Sequence, residues 1–276
     1  MGRQYPAMGT ERRTPFTTVV DITNILPEEN TPLMRGLAFI VLFFCSCKSP
    51  VEAFEGPGVH VLFIGNSLTY VNDLPATIQG LITLGGEEMS FISIAKPDFA
   101  LVDHLDGGSN AVDEIKRGGW DYVVLQQGPS SLRESRDLLI QGTQRFDQHV
   151  RAVGARTALY MVWPDRSRYS FFEDVRLSYK LAADTVGGLF FPAGEAWLTA
   201  WEGDPQLALY GPDDFHPSSL GTFLAALVIY ERISGRDARE LPPQVVVAGR
   251  AIAVPEETAR LLQNAAHATN AKYIKN

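Results

Sequence analysis

The sequence has little cysteine and no excess of positive charge, and each shortage excludes a class of function. Its 276 residues include two cysteines, Cys45 and Cys47, both near the N-terminus. The remainder of the chain can therefore form neither a disulfide nor a thiolate metal site. The formal net charge is −8, and no dense run of lysine and arginine with interleaved aromatic residues is present. A nucleic-acid partner is therefore not expected.

Three common binding and catalytic motifs are also missing from the sequence. There is no G-x-x-x-x-G-K-[ST], no G-x-G-x-x-G after the first predicted strand and no H-E-x-x-H, so nucleotide-binding and metalloprotease functions lack their defining residues. The five histidines are scattered. His104 and His149 fall in predicted helices and are interpreted as surface or capping residues rather than ligands. We expect no metal and no organic cofactor.

Long hydrophobic runs are scarce, and the most marked one lies near the N-terminus. Met34-Arg35 precedes the apolar stretch GLAFIVLFF and then CSCKSP, which is typical of a secretory signal peptide over residues 34–47. The run is shorter than the roughly 20 apolar residues that span a bilayer. Ser46-Cys47 is similar to a bacterial lipoprotein processing site, which would make Cys47 a lipid anchor. Ordinary cleavage and a single buried hydrophobic segment are the alternatives.

This pattern predicts an exported protein in two parts. Residues 1–55 form an N-terminal leader, in which residues 1–33 are an extended gene start or a disordered segment. Residues 56–276 form the globular domain, including its C-terminal helices. With 45% hydrophobic residues, a domain of this length can bury a full core.

From residue 59 onward, short apolar runs alternate with amphipathic segments. The runs VHVLFIG, MSFISIA, YVVLQQ, TALYMVW and GLFFPAG are typical of buried parallel strands, since they are continuous and rich in β-branched and aromatic residues. Segments with helical spacing separate them, and two more helices are predicted over residues 218–235 and 255–273. The order predicts a three-layer α/β/α sandwich around a mainly parallel, five-stranded sheet.

Ser67 follows the first predicted strand, in the stretch HVLFIGNSLTYVNDLP. In an open parallel sheet, ligands bind beyond the carboxyl ends of the strands. A hydroxyl there can be a nucleophile, the N-cap of the next helix or a turn former. Taken alone, this serine favours the capping interpretation, because serine and asparagine are ordinary residues at helix starts.

Asp213 and His216 form a second candidate group, in a loop that precedes a long apolar helix. In such a turn, a carboxylate and an imidazole three residues apart can enter one site, with the acid orienting the ring and stabilising its charged form. The alternative is a helix entry capped by Ser218 or Ser219, in which His216 is only a loop residue. The pair becomes a candidate catalytic group when it is considered together with Ser67.

Two stretches resemble the first and last blocks of the SGNH, or GDSL-type, hydrolases. They are FIGNSLT and DDFHPSSLGTFLAA, and the variant GNSLT is characteristic of exported bacterial subgroups. The resemblance extends over about residues 58–235 through the order and spacing of these blocks. It implies a flavodoxin-like fold, with Ser67 as nucleophile, His216 as base and Asp213 as the acid that orients it. Asp214 is out of the family register.

The middle blocks depart from the family pattern. The second block normally supplies a glycine N–H to the oxyanion hole, whereas IAKPDFALVDHL has no glycine and offers Asp98 or Phe99 at that place, beside the N–H of Ser67. The third block, typically G-x-N-D, appears as QQGPSS, with Ser130 in place of the asparagine. Gln127-Gly128 resembles the Q-G-E version of some carbohydrate esterases. Gln127 is therefore predicted as the amide donor, with Gln126 as the less favoured substitute.

The resulting hypothesis is a serine ester hydrolase that works through an acyl-enzyme, on a small-molecule or carbohydrate ester. Export and Gln127-Gly128 favour O-acyl groups on carbohydrate. Two alternatives remain open: a non-catalytic exported α/β binding protein, which the altered middle blocks favour, and an acyltransferase that uses the same acyl-enzyme.

Overall fold

The computed structural model describes residues 52–243, 245–247, 250–252 and 254–274. Five parallel strands form one sheet in the order β2-β1-β3-β4-β5. Their bounds are β1 Val59–Gly65, β2 Met89–Ala95, β3 Tyr122–Leu125, β4 Arg156–Tyr160 and β5 Leu189–Phe191. The five predicted strands and the predicted sheet are confirmed.

The register of the sheet brings the ends of its central strands to one edge. Gly65 at the end of β1 pairs with Ala95 at the end of β2, and Ile64 pairs with Leu125 at the end of β3. Residues 61–64 of β1 are fully buried, because helices cover both faces of a parallel sheet. The loops that follow these three strands therefore meet at the same place.

Nine α-helices lie in the described part of the chain. They are α1 Ser67–Tyr70, α2 Leu74–Leu84, α3 Leu101–Asp103, α4 Ala111–Arg117, α5 Arg133–Ala152, α6 Phe172–Val186, α7 Ala193–Gly203, α8 Ser219–Ser234 and α9 Glu256–Ala271. Helices α4, α5 and α6 pack side by side, whereas α8 packs against α2, α7 and α9. The predicted three-layer α/β/α arrangement is confirmed.

The sequence did not predict helix α7 or a small two-stranded sheet. Helix α7 follows β5 directly, and buried Trp197 in it stacks on Trp163 with ring centroids 3.6 Å apart. The two strands, Val245–Val247 and Arg250–Ile252, pair antiparallel, in a segment predicted only as a connection. The buried residues of α7 include Ala193, Ala196, Trp197 and Ala200, which have helical spacing, so the sequence carried a signal for this helix that the prediction missed. The strands are each three residues long, too short for a periodic signal.

The segment before β1 already packs against the domain. The Phe54 ring stacks on Trp120 at 4.3 Å between centroids, and the Phe54 N–H donates to the carbonyl of Gly118 at 2.9 Å. Phe54 therefore belongs to the packed domain, two residues before the predicted boundary. The predicted signal segment 34–47 and the anchor Cys47 lie outside the described residues. Among the helices described, none combines the length and the apolar character needed to cross a membrane.

Candidate active site

Ser67 begins helix α1 at the carboxyl end of β1, and its hydroxyl does not cap that helix. The N-cap is Asn66, whose Oδ1 accepts a hydrogen bond from the Leu68 N–H at 3.1 Å. Within the described part of the chain, Ser67 Oγ has no hydrogen-bond partner, and the residue is 8% exposed. The capping role therefore falls on Asn66, which leaves the serine hydroxyl available for chemistry.

Gln126 holds the turn that carries Ser67. Its Oε1 accepts from the Asn66 N–H at 2.9 Å and from Thr69 Oγ1 at 2.7 Å, and its Nε2 donates to Asn66 Oδ1 at 2.9 Å. The side chain is almost fully buried, so these bonds form where water cannot compete with them. Gln126 therefore fixes the backbone and the capping side chain of Asn66 on one side of the serine and the Thr69 hydroxyl on the other.

His104 supports the same turn from helix α3 and the π-turn His104–Gly108 that follows it. Its Nε2 lies 2.9 Å from the carbonyl oxygen of Gly65, and a carbonyl only accepts, so Nε2 carries the proton. Burial lowers the pKa of His104, which favours the neutral ring. The prediction of a surface or capping residue was wrong, since His104 is 1% exposed and bonds to the residue two before Ser67.

Asp213 and His216 form a closely bonded pair. Asp213 Oδ1 accepts from the backbone N–H groups of Phe215 at 3.1 Å and His216 at 2.9 Å, and Oδ2 accepts from His216 Nδ1 at 2.5 Å. The hydrogen bond from His216 is the largest cause that lowers the pKa of Asp213 to about 2, so the carboxylate is ionised at neutral pH. With Nδ1 donating, Nε2 of the neutral ring is the nitrogen that can accept a proton.

Asp214 has a different partner. Its carboxylate pairs with Arg166 Nε at 2.7 Å, and its carbonyl accepts from the Arg166 N–H at 2.9 Å. The backbone of Asp214 takes a positive φ of 59°, which turns its side chain out of register with Asp213. Of the two adjacent acids, Asp213 is the one that bonds to the histidine.

The segment that follows Ser67 contacts the loop that carries His216. Asn72 Nδ2 donates to the carbonyl of Pro217 at 2.9 Å, and Trp163 Nε1 donates to that of Phe215 at 3.0 Å. The structure therefore brings Ser67 and the Asp213–His216 pair to neighbouring loops. No hydrogen bond joins Ser67 Oγ to His216 in the described residues. Catalytic hydrogen bonds are often long without substrate and tighten only when it binds.

The loop after β2 places a backbone N–H near this turn. Residues 96–99 form a turn closed by a hydrogen bond from the Phe99 N–H to the Lys96 carbonyl at 3.3 Å. Asp98 has φ 60° at its third position and follows Pro97, which is the pattern of a type II turn. This is the left-handed conformation that glycine usually supplies. The Phe99 carbonyl accepts from Asn66 Nδ2 at 3.0 Å, which ties the two turns together.

The two predicted donors in that loop differ in what their N–H groups do. The Phe99 N–H closes the turn, whereas the Asp98 N–H has no acceptor among the residues described, and neither has that of Ser67. Of the two N–H groups, only that of Asp98 is therefore unengaged among the described residues. A positive φ makes up for the glycine that the sequence lacks at this place.

Gln127 is engaged elsewhere. Its Nε2 donates to Ser130 Oγ at 2.8 Å and, at 3.4 Å, to the carbonyl of Ser135, and its Oε1 accepts from the Leu101 N–H at 3.1 Å. Both amide hydrogens thus have acceptors within the protein. An oxyanion role for Gln127 stays a prediction, and it requires the amide to leave these partners. Ser130, in the asparagine register, serves as one of them.

A group of possible metal ligands lies away from these loops. Glu231, Asp237 and His267 come together between α8 and α9, but Glu231 Oε1 already accepts from His267 Nδ1 at 3.0 Å and from the Ala238 N–H at 2.8 Å. Asp237 forms an ion pair with Arg239. These contacts give the group a structural role in joining the two helices.

The architecture is similar to that of several solved proteins. A DUF4886 family protein from Bacteroides uniformis superimposes with a TM-score of 0.64 at 18% identity, covering 79% of this chain and 96% of that one. A protein of Slackia heliotrinireducens described as an SGNH hydrolase matches with a TM-score of 0.54 at 24% identity, over 64% of this chain and 99% of that one. The lipase/acylhydrolase of Enterococcus faecalis matches with a TM-score of 0.52 at 16% identity, over 64% of this chain and 96% of that one.

The fold is that of the SGNH hydrolases. No family model and no curated protein matches the chain. The predicted fold is thus confirmed, while the exported subgroup stays a prediction. In this SGNH fold, sequence reasoning missed the parts played by Gln126 and His104. The available signal was a polar residue, Gln126, directly after a buried strand, and a histidine in a helical segment, but such residues identify no partner until the strands are placed.

We expect Gln126→Ala to lower kcat on a small acetyl ester by about tenfold or more, because displacing a nucleophile by a fraction of an ångström is costly. Gln126→Glu keeps the acceptor for the Asn66 N–H and the Thr69 hydroxyl, so it should retain more activity than the alanine variant. Steady-state kinetics and melting temperatures of both variants check this. A folded alanine variant with wild-type kcat would contradict the positioning role.

Proposed function

We propose that the protein is a serine ester hydrolase that acts through an acyl-enzyme, with Ser67 as nucleophile, His216 as general base and Asp213 as the residue that orients the base. The observation that carries the proposal is the Asp213–His216 bond. It leaves the other ring nitrogen to accept a proton, in a loop that touches the segment following Ser67. The serine hydroxyl itself has no competing partner among the described residues.

The proposed reaction follows from these groups. Ser67 Oγ attacks the ester carbonyl while His216 Nε2 takes the hydroxyl proton. The Asp213 carboxylate stabilises the imidazolium that forms. The same proton passes to the departing alcohol, which leaves an acyl group on Ser67. A water molecule, deprotonated by His216, then releases the acid and restores the serine.

Charge develops on the carbonyl oxygen during both steps, and backbone N–H groups are the proposed donors to it. Those of Ser67 and Asp98 lack acceptors among the described residues, and the Asn66–Phe99 bond keeps their two turns in contact. Donors fixed before the reaction gain the most, since little reorganisation is then needed in the transition state. Gln127 would become a third donor only by giving up Ser130.

The substrate class and the location are proposed on sequence grounds. Gln127-Gly128 and the signal-like segment 34–47 support O-acyl groups on carbohydrate as substrate, in an exported or Cys47-anchored protein. Mass spectrometry of the mature N-terminus tests the location. A product that begins at or near Cys47 is expected. An intact chain that still carries residues 1–33 would contradict the proposed export.

Ser67→Ala should abolish hydrolysis of small acetyl esters and leave the melting temperature nearly unchanged, since Ser67 Oγ bonds to none of the described residues. A serine-directed organophosphonate probe should label the wild type at Ser67, which mapping of the modified peptide establishes. Retained activity in the variant would contradict the nucleophile. A folded wild type without label or activity would favour a non-catalytic binding protein.

Asp213→Asn should lower kcat far more than Asp214→Asn. Loss of the orienting acid costs about 10⁴ in serine proteases, whereas Asp214 pairs with Arg166 at the surface, where an ion pair is worth about 0–1 kcal/mol. The two substitutions are chemically identical and adjacent, so each is the matched control for the other. Steady-state kinetics on a small ester measures both values of kcat. A larger loss in Asp214→Asn would assign the orienting role to Asp214 instead.

A further inference from the structure

A cavity of about 670 Å³ lies beside the loop that carries Asp213 and His216. This is the size of pocket that holds small molecules, for which 300–1,000 Å³ is usual. Three aromatic residues line the cavity from different segments of the chain. They are Tyr169 after β4, Trp201 in α7 and Tyr210 at the start of the His216 loop. No step of the proposed hydrolysis uses it.

The cavity and the His216 loop share a wall. Tyr210 pairs with Pro217 across an antiparallel bridge, and the Gly211 N–H donates to the carbonyl of His216 at 2.7 Å. Arg166, which also lines the cavity, bonds to both the backbone and the carboxylate of Asp214. A molecule in the cavity would therefore lie against the same short segment that positions the proposed base.

Aromatic rings form much of the lining. Trp201 and Tyr210 are stacked with centroids 5.8 Å apart, and Tyr169 lies 5.9 Å from Trp201. Tyr169 is 51% exposed, which is unusual for a large ring and leaves part of it open to a ligand. The exposed part of the Tyr169 ring suits a ring-shaped ligand with apolar C–H surfaces.

The polar groups of the cavity do not favour an anionic ligand. The guanidinium of Arg166 is already paired with Asp214 and lies over the Tyr210 ring at 5.0 Å. Glu202 and Gln206 add an acidic and an amide side chain at exposed positions. Acceptors and donors of this kind suit hydroxyl groups. They provide no unpaired cation for an anionic ligand.

We propose that this cavity binds sugar rings of a neutral, acylated glycan whose ester group reaches Ser67. A pyranose combines apolar faces with a rim of hydroxyl groups, and so it matches both kinds of lining. The inference rests on the proposed ester hydrolase for its catalytic part. The binding part stands on the cavity alone.

Binding can be measured with probes that carry no ester. We would titrate the full chain with xylotriose, cellotriose and maltotriose by isothermal calorimetry. At least one should bind, and Tyr169→Ala should weaken it by about tenfold, the loss of one substantial contact. Tyr169→Phe, which keeps the ring, should bind nearly as the wild type does. Leu138→Ala, at a 47% exposed site on α5, is the control for a surface truncation.

A kinetic measurement connects the cavity to the ester. On the acetylated form of the trisaccharide that binds, Tyr169→Ala should raise KM by about tenfold, whereas its kcat/KM on p-nitrophenyl acetate should equal that of the wild type. Equal losses on both esters would contradict a sugar subsite, as would absence of binding to all three trisaccharides or binding that Tyr169→Ala leaves unchanged.

The two proposals fail separately. Binding of a trisaccharide through Tyr169 without labelling of Ser67 would support the sugar-binding cavity and contradict the esterase. Labelling of Ser67 without binding of any trisaccharide would support the esterase and contradict the sugar-binding cavity. Melting temperatures of all variants exclude unfolding as the cause of either result.

Discussion

The paired amides of Asn66 and Gln126 are the contact on which the candidate site depends. They join the residue after β1 to the residue after β3, two strands that already pair in the sheet. Because Gln126 satisfies the Asn66 backbone N–H, its Oδ1 and the Thr69 hydroxyl at once, the turn between them has few other ways to arrange itself. Ser67 lies within that turn, and its own hydroxyl takes no part in these hydrogen bonds.

The adjoining loops are tied to this pair rather than built independently. His104 bonds to the carbonyl of Gly65, the residue just before the turn, and the turn that contains Asp98 is bonded to Asn66 through the carbonyl of Phe99. Asn72 extends the connection to Pro217, beside His216. The site is thus a set of loops held at one edge of the sheet by buried polar contacts. Such contacts specify geometry because each leaves a costly unpaired group when broken.

The sequence predicted the sheet and the major helices well because their signals are local. Continuous apolar runs marked the strands, and helical spacing marked the amphipathic helices. Helix α7 was missed although its buried residues Trp197 and Ala200 are three positions apart and lie on one face. The paired strands 245–247 and 250–252 were missed because three-residue strands carry no measurable period.

For the candidate site, the same division between local and distant contacts applies. The bond of Asp213 to His216 spans three residues, so a turn of the right length is enough to form it. The preference for Asp213 over Asp214 followed from the D-x-x-H register of the family that the sequence resembles. The sequence also indicated that an N–H near Asp98 or Phe99 would stand where relatives have glycine.

Local sequence patterns were therefore enough to predict the succession of strands along the chain, the place of Ser67 after the first strand and the spacing of the acid and the base. The tertiary structure decided that Asn66 caps the helix, that Gln126 and not Gln127 holds the turn, that His104 is buried and that Asp98 rather than Phe99 has its N–H unengaged. It also decided that a cavity lined by aromatic rings adjoins the His216 loop. The physical reason is separation along the chain. Gln126 lies 60 residues from Asn66, and contacts over such distances exist only after the strands have paired and their loops have met.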